Sequence, residues 1–267
     1  MAIRLIVNAD DFGYTRSVNE GIVEAHRDGI LTATTLMANG AAFEHAVELA
    51  RRNPTLDVGC HLVLVEGQSV ADPSRELPGT LGDTVRAVMR GHLSPYEELR
   101  AQVEKIIGAG IRPTHLDAHK HTHLLPPVLE AVGRLAREFG IPWVRRPFDF
   151  GIDRSARLEK NVIGIGLRVL RPRFARVLKD LKMTDHFAGF LVTGTLREKN
   201  MIETIERLPD GLTEFMCHPG KMSAELDSAS TRLKESRALE LRALVSPEVR
   251  RAIERRGIEL VNYRQLS

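Results

Sequence analysis
The feature that most constrains the fold is the alternation of short apolar segments with longer amphipathic segments along all 267 residues. Strands are predicted where β-branched or apolar residues cluster, at 3–8, 31–37, 57–64, 113–118, 142–146, 187–192, 212–217 and 258–262. Helical patterns are predicted between them, at 17–28, 43–52, 95–109, 126–139, 155–180, 198–207 and 231–256. Because repeated strand, helix, strand order builds a parallel sheet, about eight such units predict an α/β fold closed as a (β/α)₈-like barrel. An open doubly wound sheet is the competing architecture.

The chain shows no sequence repeat, low-complexity segment or linker, so we expect residues 1–267 to form a single domain. Two stretches are longer than a minimal connection: 66–94, rich in Gly, Pro and Ser, and 148–186, rich in Arg and Lys. Long connections of this kind often form lids or interfaces.

Charge and cysteine content narrow the class of protein. The net charge is only +3, and acidic residues are interspersed with the basic ones, so we expect no nucleic-acid partner. Cys60 and Cys217 form neither a disulfide framework nor a CxxC pair. No secretory signal pattern begins the chain, and no apolar run approaches a membrane span, so we expect a cytoplasmic location.

Polar and charged residues collect where the predicted strands end. Barrels and open parallel sheets both place their chemistry at the carboxyl ends of the strands. Four strands carry such residues in or just after them: Asp10 and Asp11, His61, Arg145 and Arg146, and His218. Each has a structural explanation, as a turn, a buried core histidine or a loop residue. Their joint position at one rim favours a functional site.

The densest signal is the segment "THLDAHKHTHLLP". His115, Asp117, His119, His121 and His123 share the same parity, so an extended segment would turn them toward one face. An exposed polar turn is the alternative. Parity alone does not choose among His119, His121 and His123 as ligands.

The chemistry of this set is that of an open metal site. One carboxylate and two imidazoles bind a divalent ion while leaving room for water and substrate. A second carboxylate can then act as general base, and a histidine across the pocket as general acid. We therefore expect metal-assisted hydrolysis of an amide or ester. Hydrolysis of a phosphoester, oxidative chemistry at non-haem iron, and non-catalytic binding of a sugar or metal are the alternatives.

Four motifs, "VNADDFG", "GCHLVLVEG", "PTHLDAHKHTHLLP" and "EFMCHPG", resemble the YdjC-like carbohydrate deacetylases in sequence and in order along the chain. That family includes chitooligosaccharide and hopanoid-associated deacetylases. The resemblance implies a deformed TIM-like barrel that removes the acetyl group from N-acetylglucosamine units of an oligosaccharide or glycolipid, hopanoid-linked ones included. It also implies one divalent ion, Mg²⁺ or Zn²⁺, and a homodimer.

The resemblance also implies roles for individual residues. Asp11, His61 and His119 match the metal ligands, and Asp10 matches the catalytic base. His218 corresponds to a late-strand histidine that acts as acid in the more distantly similar polysaccharide deacetylases, and "RRPF" is similar to their arginine motif that orients the base. We expect the remaining polar residues of these motifs to contact either the substrate or the metal ligands: Asp117, His121, His123, Arg145 and Arg146.

Two features depart from the family pattern. Ala118 stands where the family usually has Ser, and Lys120 where it has Gln or His, so the exact substrate is the property affected. The segment 150–182 combines "VIGIGL" with "RVLRPRFARVLK". A solvated or dimer-forming helix pair is the favoured interpretation of that segment, and contact with an anionic membrane or an amphiphilic lipid is the alternative.

Overall fold
The computed structural model describes residues 2–151 and 165–267. Within them the strands are β1 (Ile3–Phe12), β2 (Ala33–Leu36), β3 (Asp57–Leu62), β4 (His115–Ala118), β5 (Trp143–Val144), β6 (His186–Ala188), β7 (Gly211–Cys217) and β8 (Glu259–Leu260). All pair in parallel, in the order β5-β4-β3-β2-β1-β7-β6, and β8 pairs with the start of β1. The sheet curls into a half-barrel, which confirms the predicted deformed TIM-like α/β fold.

The barrel is incompletely closed between its two outermost strands. Where β5 and β6 face each other, single parallel bridges link Trp143 to Lys182 and Asp149 to Phe187. Among the described residues these bridges take the place of a continuous ladder, which is the deformation that distinguishes this sheet from a regular barrel.

Helices follow most strands and pack on the outside of the sheet. They are α1 (Arg16–Arg27), α2 (Phe43–Arg52), α3 (Leu81–Met89), α4 (Pro95–Gly108), α5 (Pro126–Glu138), α6 (Arg171–Val177), α7 (Glu198–Glu206), α8 (Ala224–Ser228), α9 (Glu235–Leu244) and α10 (Pro247–Arg255). None of the helices in the described ranges has the length and apolar character that crossing a membrane requires.

The structure differs from the helix predictions in four places, one of which is the short helix α8, where no helix was predicted. The single helix predicted at 231–256 is two helices, because Ser246 caps α10 by accepting from the Glu248 backbone N–H and Pro247 opens that helix. Helix α3 lies in the stretch 66–94, where none was predicted. The helix predicted at 155–180 falls partly outside the described residues, and so does half of "VIGIGL"; α6 covers 171–177.

Side chains alternate between the two faces of the sheet and so form two different cores. The outer face packs against the helices through a large apolar cluster that includes Leu5, Val7 and Ala9. The inner face begins with a small apolar cluster containing Ile6 and Leu212. Farther along the strands it becomes polar, so that the functional groups lie above an apolar floor.

Candidate active site
The two adjacent acids Asp10 and Asp11 reach the same cavity because strand β1 is irregular at this point. Neighbouring residues of a regular strand point to opposite faces. Here the pairing with β2 shifts register between Ala9 and Phe12, and Asp11 has a left-handed backbone with φ 70°. The sequence predicted a strand that stops before the acids. The structure instead shows a strand that continues through them to Phe12.

Asp11, His61 and His119 bring three donor atoms together. Asp11 Oδ1 lies 3.3 Å from His61 Nε2 and 3.2 Å from His119 Nδ1, and the two ring nitrogens are 3.1 Å apart. Two metal bonds of about 2.1 Å that meet at about 90–109° separate their donors by about 3.0–3.4 Å. Asp11 Oδ1 is buried without a hydrogen-bond partner among the described residues, as expected for an atom left for an ion. The residues therefore fit a divalent metal.

His61 is oriented by Asp117 on its far side. The ring Nδ1 donates to Asp117 Oδ1 at 2.7 Å, and the Thr35 hydroxyl donates to Asp117 Oδ2 at 3.1 Å. This contact fixes the tautomer and turns Nε2 toward Asp11 and His119. Burial lowers the pKa of His61, but Asp117 and Asp11 outweigh it and raise that pKa to about 10. A metal therefore has to displace a proton from Nε2 when it binds.

Arg145 holds the other acid. Its guanidinium donates to both oxygens of Asp10, at 2.6 and 2.8 Å, and also to Asp117 and Glu214, each at 2.7 Å. Burial raises the pKa of Asp10, but Arg145 reverses this effect and holds it well below the usual range. Asp10, His61 and Asp117 form a second group with metal-ligand spacing. In this second group the guanidinium of Arg145 already supplies the positive charge between the carboxylates of Asp10 and Asp117.

Arg146 does not line the cavity and donates instead to the carbonyl oxygen of Asp185. The sequence left open which of the two arginines faces the site. Arg145 does not line the cavity either, but it contacts Asp10, which does. Arg146 follows it in the chain, and its contact directs it away from Asp10.

His218 follows strand β7 and lines the same cavity as the metal donors. Its Nε2 is 3.9 Å from Asp10 Oδ2, and its backbone N–H donates to Glu240 Oε2 at 2.6 Å. Burial dominates the electrostatics of the ring and lowers the pKa of His218 to about 4, although Asp10 and Asp11 oppose it. At neutral pH the imidazole is therefore uncharged.

The segment "HLDAHKHTH" is extended only as far as Ala118, so strand parity does not decide where its later residues lie. Strand β4 ends there, and residues 119–124 form a 3₁₀ turn with left-handed backbone at Lys120 (φ 51°) and His121 (φ 52°). The turn brings His119 to Asp11. His121 lines the cavity beside Phe190, with ring centres 5.6 Å apart.

Two other histidines of that segment lie away from the cavity wall. His123 is buried against the ring of Phe174, at 5.8 Å between centres. His115 lies lower in the barrel, where it stacks on Tyr263 at 3.9 Å and its Nε2 approaches Asn8 Oδ1 at 2.9 Å. A contact with the substrate is therefore not expected for His123.

The cavity has a volume of about 890 Å³ and a mixed lining. Apolar and aromatic groups come from Tyr14, Leu81, Phe190 and Met216, and charged groups other than the site residues come from Glu66, Lys120 and Arg232. Lys120 and Glu66 form an ion pair at 3.1 Å. Because Glu66 and Leu81 belong to the stretch 66–94, that connection forms part of the cavity wall.

Several functional-site neighbours were missed by the sequence analysis: Asn8, Thr35, Glu214, Arg237 and Glu240. A signal existed for three of them. Glu214 is a charged residue at an inward position of strand β7, and Arg237 and Glu240 take buried positions on helix α9 beside Leu241 and Leu244. A charged residue that occupies a position where buried apolar residues recur along a strand or helix indicates a buried ion pair.

Comparison with known proteins relates the whole chain to one family. The family model described as YdjC-like protein matches residues 4–255. A carbohydrate deacetylase from Brevibacillus brevis is 37% identical over 273 residues, covering 99% of this chain and 100% of the relative. A carbohydrate deacetylase from Geobacillus stearothermophilus is 36% identical, covering 97% and 96%.

Solved structures agree with that relationship. A putative cellobiose-phosphate cleavage protein from Enterococcus faecalis superposes with a TM-score of 0.80 at 27% identity, covering 100% of both chains. An uncharacterized protein from Agrobacterium tumefaciens has a TM-score of 0.57 at 14% identity and covers 100% of this chain and 89% of its own, which relates the two folds.

Proposed function
The chain belongs to the YdjC-like family, whose matched relatives are carbohydrate deacetylases and hence amide hydrolases, and we propose that it is a metal-dependent N-deacetylase of an amino sugar. The observation that carries this proposal is the triangle of Asp11, His61 and His119 donors with Asp10 beside it.

Asp11, His61 and His119 would hold one divalent ion. Two imidazoles and one carboxylate suit Zn²⁺ better than Mg²⁺, which prefers oxygen ligands. When bound, the ion would polarise the acetyl carbonyl and lower the pKa of a coordinated water. Asp117 supports the ion indirectly, because it keeps the Nε2 lone pair of His61 directed at the site.

Asp10 would act as the general base. Arg145 keeps its carboxylate ionised and fixes both oxygens, so one lone pair of Oδ2 stays available on the side of His218. Asp10 takes a proton from the water that adds to the acetyl carbon. The carboxylate is thus positioned before the substrate arrives.

His218 would return that proton to the leaving group. Because its pKa is about 4, the ring is uncharged at pH 7 and has to gain its proton during the reaction. Asp10 Oδ2 lies 3.9 Å away, within reach of one small movement or one bridging water. The proton passes to the nitrogen as the C–N bond breaks, and acetate and a free amine leave.

The cavity supports a substrate larger than a free monosaccharide. Its volume of about 890 Å³ lies near the upper end of ligand pockets, which are about 300–1,000 Å³. Tyr14 and Phe190 offer aromatic faces to sugar rings, and the charged rim offers partners to hydroxyls. We propose N-acetylglucosamine in an oligosaccharide or a glycolipid, with a hopanoid-linked glycolipid as one such case. The homodimer and the cytoplasmic location stay predictions.

The experiment combines acetate release from N,N′-diacetylchitobiose with metal analysis. Protein stripped with a chelator should be inactive and regain activity with Zn²⁺ more than with Mg²⁺. Asp11→Asn and His119→Asn should lose both metal and activity. His92→Asn, at an exposed histidine, should keep both and serves as the control.

The same donors also suit non-haem iron, so a second candidate is chemistry on another bond. Turnover that requires oxygen, or activity confined to phosphate esters, would replace the deacetylase proposal. Tight sugar binding without any product by mass spectrometry would indicate a binding protein.

A further inference from the structure
Helix α9 contributes two buried charged side chains to the active site. Arg237 and Glu240 are each only 1% exposed, and their spacing of three residues puts them on the same face of the helix. Buried charges are costly unless they are paired, so their partners indicate why they are present. Glu240 accepts from the backbone N–H of His218, and Arg237 contacts Asp11.

Because of the contact with Arg237, the two carboxylate oxygens of Asp11 have different partners. Arg237 Nη2 donates to Oδ2 at 2.5 Å, while Oδ1 faces His61 and His119. The guanidinium is itself anchored, because its Nε donates to the carbonyl oxygen of Leu233 at 3.0 Å. The orientation of the carboxylate is therefore set from outside the donor triangle.

The backbone of Asp11 makes such an anchor necessary. Its φ of 70° lies in the left-handed region, which a residue with a Cβ rarely adopts unless surrounding contacts enforce it. The strand is also out of regular register at this residue. An ion pair on the outer oxygen compensates for this strain and leaves the inner oxygen in place.

From these contacts we infer that Arg237 is the positioning residue of the metal centre: it holds Asp11 as a one-oxygen donor and thereby sets metal affinity and coordination. The inference rests on the proposed role of Asp11 as a ligand. Groups that hydrogen-bond to metal ligands from outside commonly change metal affinity by about 10–100-fold when removed. A model based on charge repulsion makes the opposite prediction. In that model the positive charge of Arg237 weakens metal binding, and removing Arg237 strengthens it.

The test compares Arg237→Met with Arg242→Met. Arg242 is an exposed arginine of the same helix, so the second variant controls for the loss of an arginine from α9. Metal affinity is measured by competition with a chromophoric chelator, and coordination by the visible spectrum of the Co²⁺-loaded protein. Circular dichroism and thermal unfolding report whether each variant is folded.

We expect Arg237→Met to weaken Zn²⁺ and Co²⁺ binding by about 10–100-fold and to alter the Co²⁺ bands, while Arg242→Met stays within twofold of wild type. Arg237→Lys keeps the charge and one donor, so its metal affinity should lie between those of Arg237→Met and Arg242→Met. A folded Arg237→Met protein that binds metal as wild type does, or more tightly, would overturn the inference. Should that variant not fold, wild-type affinity and an unchanged Co²⁺ spectrum in Arg237→Lys and Arg237→Gln would overturn it.

Failure of the proposed function gives a different pattern. If Asp11→Asn binds metal like wild type, the metal centre is elsewhere and both proposals fail. If Asp11→Asn loses the metal while the Arg237 variants keep it at wild-type affinity, the metal centre stands and only the role of Arg237 is wrong.

Discussion
Arg145 reaches across the inside of the barrel to Asp10, 135 residues earlier in the chain, and donates to both of its carboxylate oxygens at 2.6 and 2.8 Å. The same guanidinium also contacts Asp117 and Glu214. One buried cation thus connects the candidate base with the residue that orients His61. The site is therefore a single electrostatic unit rather than a set of separate residues.

Replacing Arg145 should destabilise the fold as well as abolish activity. Arg145→Met leaves three buried carboxylates without their cation, and removing one partner of a buried ion pair costs about 3–5 kcal/mol. Urea unfolding measures the loss. Arg146→Met, next in the chain but bonded to a backbone carbonyl, should cost clearly less. Equal losses in the two variants would contradict the central position of Arg145.

Asp10→Asn should separate metal binding from catalysis. The amide cannot accept a proton at neutral pH, and loss of a general base lowers kcat by about 10²–10⁴-fold. Metal content should stay at the wild-type level because Asp10 is not among the Asp11, His61 and His119 donors. Acetate release and elemental analysis on the same samples test both expectations. Full activity with bound metal would exclude Asp10 from the mechanism.

Metal binding should release protons and strengthen with pH. The pKa of His61 is raised to about 10, so below that pH its Nε2 proton competes with the ion. The affinity should therefore rise by up to about tenfold per pH unit between pH 6 and 8. Calorimetry in buffers of different ionisation enthalpy counts the released protons, and we expect about one per ion. An affinity independent of pH would show that His61 is not the titrating ligand.

Glu240 should make the protein less stable as the pH rises. Burial raises its pKa from 4.5 to about 7, so between these values the folded state binds more protons than the unfolded state. The free energy of unfolding therefore falls across this range, by up to about 3 kcal/mol for this group. Glu240→Gln should match wild type near pH 5 and be more stable near pH 8. Urea unfolding at several pH values tests this, and parallel curves for the two proteins would contradict it.

The close approach of helix α1 to the loop after His218 should make Gly21 sensitive to substitution. A Cβ at Gly21 would lie 2.6 Å from the Cα of Gly220, so Gly21→Ala must displace that loop and His218 with it. We expect a loss of about 1–3 kcal/mol in stability from overpacking and a lower kcat. Gly108→Ala is the control, because nothing lies within 4 Å of its Cβ. That variant should gain up to about 1 kcal/mol.

The pattern of strands was predictable because it depends on local composition. All eight predicted strands overlap strands of the structure, from Ile3–Phe12 to Glu259–Leu260. The division between α9 and α10 was also readable, since Ser246 and Pro247 form a helix start, but the apolar periodicity on both sides obscured it. Helix α3 was missed because the Gly- and Pro-rich residues around it favoured a loop.

The site was predictable only in part, since its geometry depends on exceptions to local rules. The family motifs pointed to Asp11, His61 and His119, which do lie together. Parity failed at Lys120 and His121, where two left-handed residues turn the chain. No short-range pattern could pair Arg237 with Asp11, because the contact spans 226 residues.

That span has a consequence for how the protein matures. Chains are synthesised from the N-terminus, and early segments begin to fold while later ones are still being made. Asp11, His61 and His119 are all translated more than 100 residues before Arg237, whose guanidinium holds Asp11. A nascent chain that has not yet reached Arg237 therefore carries the three donors without the residue that positions Asp11, and we expect stable capture of the ion to follow the synthesis of helix α9.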